Sequence, residues 1–391
     1  MDAIKYNNQK FILSSQYFLY FGVMGIFLPY FNLYCFHLGF SSFQIGTLSA
    51  IRSVIMILFS LFWGIMADKY RIRRPIYILC NLLSAFLWLF FLYIANFKSM
   101  IVITICYGIF YSPIISFMEA FSMDLLGDNK KSYGRIRAWG SLAFISMVTI
   151  TGKIIDLYAI EIILGLILFG SILQALMAMK IPRPAIHRQK KTSRSARPPI
   201  QGRIVIFLIS ACLMLISHGA YYAFFSIHLE KLGYGSSFIG ITWAIASMAE
   251  FALMVNSDKI FKRFSFEKVL IFSFFIAALR WLSLCYIKSW IGLCLSQIMH
   301  AVTYGTFHMA SILYIDSLTP LESKTFGQSL NNAVTYGLGL MLGFFLSGFL
   351  YEKGGAPVIF GASALIALLG GLLFCARDFT LVRGKQAKSN I

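Results

Sequence analysis

Long apolar segments alternate with short polar turns along almost the whole chain. Each segment is close to the roughly 20 residues that a helix needs to cross the hydrocarbon core of a bilayer. The twelve segments lie at about 12–37, 42–66, 75–95, 99–123, 135–156, 161–180, 204–229, 237–257, 268–287, 290–315, 326–350 and 357–376. The pattern predicts an all-α integral membrane protein with twelve transmembrane helices.

Composition and charge agree with this interpretation. The 391 residues are 59% hydrophobic and only 13% charged, and the mean hydropathy is +0.76. Basic residues concentrate in alternate loops: Lys69, Arg71, Arg73, Arg74, Lys130, Lys131, the run 180–203, Lys259, Lys262, Arg263 and the C-terminal tail. This distribution follows the positive-inside rule and predicts that both termini are cytoplasmic. The net charge of +19 therefore gives no reason to expect a nucleic-acid partner.

A basic linker divides the chain nearly in half. It covers 181–203 and is rich in proline, arginine, lysine and serine. A fixed shift along the chain pairs Gly25 with Gly219 and Gly39 with Gly233, as in an internal repeat. Two similar six-helix halves are typical of secondary transporters with a substrate site near the membrane midplane. We predict an N-terminal six-helix bundle at 1–180, the linker at 181–203, a C-terminal six-helix bundle at 204–377 and a cytoplasmic tail at 378–391.

Six ionisable side chains fall inside the apolar segments: Arg52, Glu119, Arg137, Glu250, Arg280 and His300. Such residues are costly in lipid and usually mark a functional site. Arginine–carboxylate contacts lower the cost of both charges, so we predict one pair in each half, Glu119 with Arg137 and Glu250 with Arg280. Arg52 then lacks an acidic partner, and an anionic substrate would balance its charge.

Other classes of function have no support in the sequence. The seven cysteines lie in apolar stretches without CxxC spacing, so we interpret them as buried small residues. The chain contains no serine-hydrolase elbow, HExxH zinc motif or Walker A loop. We therefore expect no enzyme activity, no bound metal and no organic cofactor.

The loop after the second segment carries a recognisable motif. It reads GIMADKYRIRR at 64–74 and resembles the cytoplasmic loop of the major facilitator superfamily (MFS), although Tyr70-Arg71 stands where a small residue is usual. The resemblance implies the MFS fold of two pseudo-symmetric six-helix bundles. It also implies a gating loop formed by Asp68, Lys69 and Arg73, in which the aspartate pairs with basic residues across the boundary between the halves.

A second stretch, YGRIRAWGS at 133–141, resembles the lactose permease group. Similarity to the phenylpropionate permease branch of the superfamily extends further, for example over 217–234 and 305–315. The resemblance implies that Glu119 and Arg137 bind substrate.

For proton coupling, the same resemblance implies roles for Glu250, Arg280 and His300. This chain departs from the lactose permease pattern with Thr303 where that group has a proton-carrying glutamate, so the proton carrier stays open. We prefer Glu250, because burial favours the neutral form of a carboxyl group and a nearby arginine favours its charged form. His300 and His308 are the alternatives.

Together these features predict a proton symporter that imports a small organic anion, such as an aromatic carboxylate, by alternating access. Arg52, Tyr30 and Tyr222 complete the candidate substrate site. We expect a monomer in a bacterial-type inner membrane, with the small-molecule substrate, protons and the lipid bilayer as its partners and the proton gradient as its energy source. The alternatives are a sugar or nucleoside proton symporter and a non-transporting membrane receptor.

Overall fold

A computed structural model describes residues 3–127, 133–181, 202–320 and 323–389. The N-terminal half contains seven helices: α1 (Ala3–His37), α2 (Ser42–Tyr70), α3 (Arg73–Trp88), α4 (Phe97–Tyr111), α5 (Ile114–Leu126), α6 (Tyr133–Leu157) and α7 (Ile162–Ala178). A 3-10 turn at Leu89–Leu92 extends α3. The predicted segment 99–123 is divided between α4 and α5 at Pro113, which has no backbone N–H to continue a helix.

The remaining helices are α8 (Gly202–Lys231), α9 (Ser236–Val255), α10 (Ser257–Arg263), α11 (Phe266–Tyr286), α12 (Trp290–Ile298), α13 (Phe307–Leu318), α14 (Lys324–Asn331) and α15 (Leu340–Ser389). Two π-helical segments, Ala301–Thr306 and Asn332–Gly339, join α12 to α13 and α14 to α15. Within α15 the backbone leaves helical geometry at Gly354 and Gly355, and the φ of +65° at Gly355 favours glycine. This break separates the last two predicted segments.

The helices confirm the predicted fold class. No strand occurs in the described ranges, and each predicted segment coincides with one helix or with a run of consecutive helices. In the same ranges, nine helices or continuous runs are long and apolar enough to cross a membrane, which is consistent with twelve spans. The sequence pattern missed α10, a short helix whose last-turn Lys262 and Arg263 suit the negative end of the helix dipole.

Contacts within the chain define two units. The first unit comprises 1–189 and 226–244, and the second comprises 190–225 and 245–391. Each has an aromatic core around a fully buried tryptophan, Trp88 in the first unit and Trp281 in the second. The domain boundaries that we derived from the sequence stay a prediction, and most of the linker 181–203 lies outside the described residues.

The segment 226–244 joins the first unit through contacts with α1 and α6. The Asp156 carboxylate, near the end of α6, accepts hydrogen bonds from the backbone N–H groups of Ser236 (2.7 Å) and Ser237 (2.9 Å). These N–H groups belong to the first turn of α9, where they have no partner within the helix and where the dipole favours a negative charge. Asp156 therefore caps a helix far from it in sequence.

Close backbone approach strengthens this junction. A Cβ atom added at Gly152 would lie 2.4 Å from the carbonyl oxygen of Ser236, and one added at Gly240 would lie 2.5 Å from that of Val148. Only glycine fits at either position without a backbone shift. At the end of α1, the His37 imidazole contacts the Glu230 carboxylate at 2.8 Å.

Replacing Asp156 by asparagine should destabilise the protein by about 1 kcal/mol, because one of the two acceptor oxygens becomes an amide that faces an N–H group. Thermal unfolding of the purified protein in detergent measures the change as a lower midpoint. Glu161→Gln is the matched control, since Glu161 stands at the start of α7 without a side-chain capping hydrogen bond. Equal midpoints for both variants would contradict the capping role.

Candidate functional site

In the second unit, Arg280 on α11 is fully buried and forms the centre of a polar network. Its guanidinium donates to the Ser296 carbonyl through Nε (2.8 Å) and to Gln297 Oε1 through Nη2 (3.3 Å). Its Nη1 contacts His300 Nδ1 (2.7 Å) and Thr303 Oγ1 (3.3 Å). The planar group therefore uses its fixed fork of donors on several partners, which lysine could not do.

The predicted direct pair between Glu250 and Arg280 is wrong. Glu250 Oε1 contacts His300 Nε2 at 2.7 Å, and no ion pair joins Glu250 to Arg280 in the described part of the chain. His300 thus lies between the two charges. The reason is geometric, because α12 and the π-helical segment after it bring the imidazole, rather than the carboxylate, to the guanidinium.

The donors and acceptors in this network fix the proton on His300. Arginine can only donate hydrogen bonds, so His300 Nδ1 must accept from Arg280 with its lone pair. The imidazole is therefore neutral and carries its proton on Nε2, which donates to Glu250. A proton added at His300 Nδ1 would remove the acceptor for Arg280 and place an imidazolium beside the guanidinium. A proton added to Glu250 would leave the contact between Arg280 and His300 in place.

Aromatic rings enclose this network. The Arg280 guanidinium lies 4.4 Å from the ring centroid of Tyr221 and 4.5 Å from that of Trp281. The Tyr304 ring stacks on His300, with 5.4 Å between centroids. Tyr222, a predicted substrate residue, is only half-buried and meets His300 edge to face at 6.1 Å. It is placed where a ring-containing ligand could pack against it.

His308 lies one turn beyond Tyr304 and stacks on its ring. Its Nδ1 forms a hydrogen bond with the Tyr336 hydroxyl. Tyr304 and Tyr336 both belong to the π-helical segments, which occur frequently at functional sites because they interrupt regular helix geometry. His308 is close to the network but makes no ion pair with Glu250 among the described contacts.

Sequence reasoning missed His218 on α8. Its Nδ1 donates to the Met214 carbonyl (2.8 Å), which leaves a lone pair on Nε2. That Nε2 is buried without a hydrogen-bond partner among the described residues, and the ring lies 6.0 Å from that of His300. The resemblance directed attention to Glu119, Arg137, Glu250, Arg280 and His300. The signal that could have found His218 is its position one turn before Tyr222.

The first unit holds the other candidate substrate residues. Arg137 lies over the Phe21 ring, 3.7 Å from its centroid, and 5.8 Å from the centroid of Tyr17. These two rings are one turn apart on α1 and so share a face. Glu119 on α5 is exposed and forms no ion pair with Arg137 within the described ranges. The predicted pair is therefore not formed, since the rings of α1 hold the guanidinium.

Arg52 lies on α2 above the Phe27 ring, with 4.6 Å from guanidinium carbon to ring centroid. As the sequence suggested, no acidic side chain pairs with it in the described part of the protein.

Tyr30 differs from our prediction. It is fully buried, and its hydroxyl contacts the carbonyl oxygens of Val148 (2.9 Å) and Ser236 (3.2 Å). Tyr30 therefore stabilises helix packing and has no hydroxyl proton left for a ligand.

The gating-loop residues lie within the first unit. Arg73 donates to Asp68 Oδ1 (3.0 Å) and to Asp124 Oδ2 (3.1 Å), so one guanidinium ties the ends of α2, α3 and α5 together. We predicted that Asp68 pairs across the two halves, whereas its partner here is Arg73 of the same unit. Lys69 instead approaches the ring of its neighbour Tyr70. In the described ranges, no three His, Cys, Asp or Glu side chains could together hold a metal ion.

The family model described as "MFS_1 like family" matches residues 11–362. The chain belongs to this family. A match over most of the sequence confirms the resemblance drawn from the two short motifs. Together with the all-helical fold, it establishes an integral membrane protein of the secondary transporter class rather than an enzyme.

Three relatives whose names describe transporters or permeases support this assignment. The chain is 29% identical over 362 residues to the "Probable 3-phenylpropionic acid transporter" of Escherichia coli (strain K12), with 91% of this chain and 94% of the relative covered. It is 22% identical to the maltose permease of Geobacillus stearothermophilus, with 95% and 96% covered. The "Putative nucleoside transporter YegT" of E. coli (strain K12) is also 22% identical, with 81% and 78% covered.

Solved structures show the same fold. The nucleoside transporter NupG superposes with a TM-score of 0.84 at 19% identity, covering 94% of this chain and 98% of that one. A bacterial homologue of the human lysosomal transporter Spinster, inward-facing and unoccupied, gives 0.74 at 14% identity, with 98% and 99% covered. At these identities the likeness concerns the fold alone.

Replacing Arg280 by lysine should lower the thermal unfolding midpoint although the positive charge is kept. A single ammonium cannot reach the Ser296 carbonyl, Gln297 and His300 together, and each buried acceptor left unsatisfied costs about 1–3 kcal/mol. Unfolding in detergent measures the loss, and the exposed Arg263→Lys on α10 is the control. A midpoint equal to that of the control would show that charge alone, and not the fork, holds the network.

Proposed function

We propose that this protein is a proton symporter that imports a small organic anion, such as an aromatic carboxylate, by alternating access. The observation that carries the proposal is the lone guanidinium of Arg52. It stands at bilayer depth with an aromatic ring beside it and no acidic partner among the described residues. An uncompensated charge there is costly, and a carboxylate substrate would compensate it while its ring packs on nearby aromatic residues.

The aspartates of α2 and α5 do not offer an alternative partner. Asp68 and Asp124, the other acids of the described part of α2 and α5, are both bound to Arg73. Of the candidate substrate residues in the first unit, Arg52 and Arg137 carry two positive charges, and Glu119 carries one negative charge. A monovalent anion would make this set neutral. The relative named for 3-phenylpropionic acid gives independent support for a substrate with a carboxylate and a ring.

Glu250 is the proton carrier that the second unit supports best. His300 is held neutral because Arg280 donates to one of its nitrogens, so an incoming proton meets less resistance on the Glu250 carboxylate. With Glu250 ionised, the chain of contacts from Arg280 through His300 to Glu250 balances one positive with one negative charge. Protonation of Glu250 leaves Arg280 in excess by one charge. We propose that this shift couples proton binding to the binding or release of the anion.

A sugar or nucleoside symporter is the second candidate. The observation in its favour is Glu119, an exposed carboxylate without an ion pair in the described residues. Because an ionised group at this depth requires water around it, Glu119 would be available to accept hydrogen bonds from hydroxyl groups. The maltose and nucleoside relatives are compatible with this use. The substrate tests below separate the two candidates.

Replacing Arg52 by glutamine should raise the KM for phenylpropionate by about tenfold or more, because a charged hydrogen bond to the carboxylate is lost. Uptake of labelled phenylpropionate into proteoliposomes with an imposed proton gradient measures the effect. Arg52→Lys should recover part of the affinity, and Arg263→Gln is the control on an exposed helix. Unchanged uptake of phenylpropionate by Arg52→Gln, or gradient-driven uptake of maltose or xanthosine instead, would overturn the anion assignment.

Replacing Glu250 by glutamine should abolish uptake driven by a proton gradient but keep substrate counterflow. The amide still accepts a hydrogen bond from His300 but can no longer gain or lose a proton. Counterflow and gradient-driven uptake of the same labelled substrate, measured on the same proteoliposomes, separate the two activities. Glu267→Gln, at the start of α11, controls for the loss of a carboxylate. Loss of counterflow in Glu250→Gln would assign Glu250 to substrate binding or to the fold.

A further inference from the structure

A groove of about 730 Å³ lies between α1, α6 and α7 in the first unit, and none of the candidate transport residues lines it. Its walls are largely apolar side chains that stay exposed on the helix surfaces. Phe11 is 64% exposed, Leu176 52% and Trp139 49%. In a membrane protein such a surface faces the acyl chains of lipid, so the groove is open to the bilayer.

The polarity of the groove changes along its length. Lys10 lies near the start of α1, and Lys180 follows the end of α7, so both ammonium groups stand at one end of the groove. From Lys10 the α1 wall continues through Ser14 to Leu19, a distance of about 14 Å at 1.5 Å per residue. This length is close to half of the roughly 30 Å hydrocarbon core. The groove therefore extends from headgroup level towards the membrane midplane.

The charges at its polar end have no acidic partner among the described residues. Neither Lys10 nor Lys180 forms an ion pair with another described residue, and no acidic residue is among the described residues that line the groove. Arg74 donates to the carbonyls of Met179 and Ile181, each at 2.8 Å. These bonds fix the backbone on both sides of Lys180 and so hold its side chain at the rim.

We propose that this groove binds a single phospholipid with an acidic headgroup. The phosphate and headgroup charge would lie between Lys10 and Lys180, whose long side chains can reach the interface. One acyl chain would follow the apolar wall past Phe18 and Leu173. Trp139 stands near the start of α6, at the depth where tryptophan is enriched in membrane proteins.

The test uses the full-length protein, purified in a neutral detergent and freed of lipid. Native mass spectrometry counts the dioleoylphosphatidylglycerol molecules retained during a titration, with dioleoylphosphatidylcholine as the uncharged-headgroup comparison. We expect one saturable phosphatidylglycerol site and no saturable phosphatidylcholine site. The double variant Lys10→Gln/Lys180→Gln should bind phosphatidylglycerol about tenfold more weakly. The control, Lys259→Gln/Lys262→Gln, removes two exposed lysines from α10 and should keep the site.

A second variant tests the apolar wall with both lysines in place. Leu176→Trp should fill the groove and weaken phosphatidylglycerol binding, whereas Leu279→Trp, on an exposed position of α11, should not. Both variants should unfold at the temperature of the unmodified protein, which separates lipid loss from misfolding. Equal binding of the two lipids, equal weakening by both lysine pairs, or no saturable binding at all would overturn the proposal.

Discussion

The contact between Arg280 and His300 organises the second unit. A guanidinium at zero exposure needs an acceptor for each of its donors, and this requirement keeps the neighbouring imidazole neutral. The neutral imidazole in turn directs its single proton at Glu250. Aromatic rings then pack around the charged guanidinium and the neutral imidazole, those of Tyr221, Trp281 and Tyr304. The aromatic enclosure and the position of the carboxylate therefore both follow from the cost of burying one cation.

The first unit handles its charges differently. Arg52 and Arg137 lie against aromatic rings rather than carbonyls or carboxylates, and cation–π contacts compensate a charge less completely than an ion pair does. Glu119, in contrast, remains exposed. One unit thus holds a closed network with internal compensation, and the other holds charges that an external group could still satisfy. This difference fits a division of labour between proton binding and substrate binding.

Hydropathy was enough to predict the helices, because a span must satisfy its own backbone and the lipid around it, and both requirements act locally. It could not predict which side chains meet, since a rotation of tens of degrees about a helix axis changes the partner. Glu250 was predicted to pair with Arg280, whereas it contacts His300. Nor could hydropathy predict that Asp124 and Asp68 share Arg73. Tyrosine is a common residue in ligand sites. Only the packing of Tyr30 shows that its hydroxyl already contacts two backbone carbonyls.

The two sides of the contact between Asp156 and α9 depend on the amino-acid sequence to different degrees. On one side stands a single carboxylate; on the other stand two main-chain N–H groups that every residue except proline supplies. Both serines can therefore change to most other residues and keep these main-chain bonds, with only the added bond from the Ser237 side chain lost, while position 156 must keep an acceptor. Divergent members of such a lineage would keep an acidic residue facing a helix start of variable sequence. A comparison that looks only for co-varying side chains would not detect this junction.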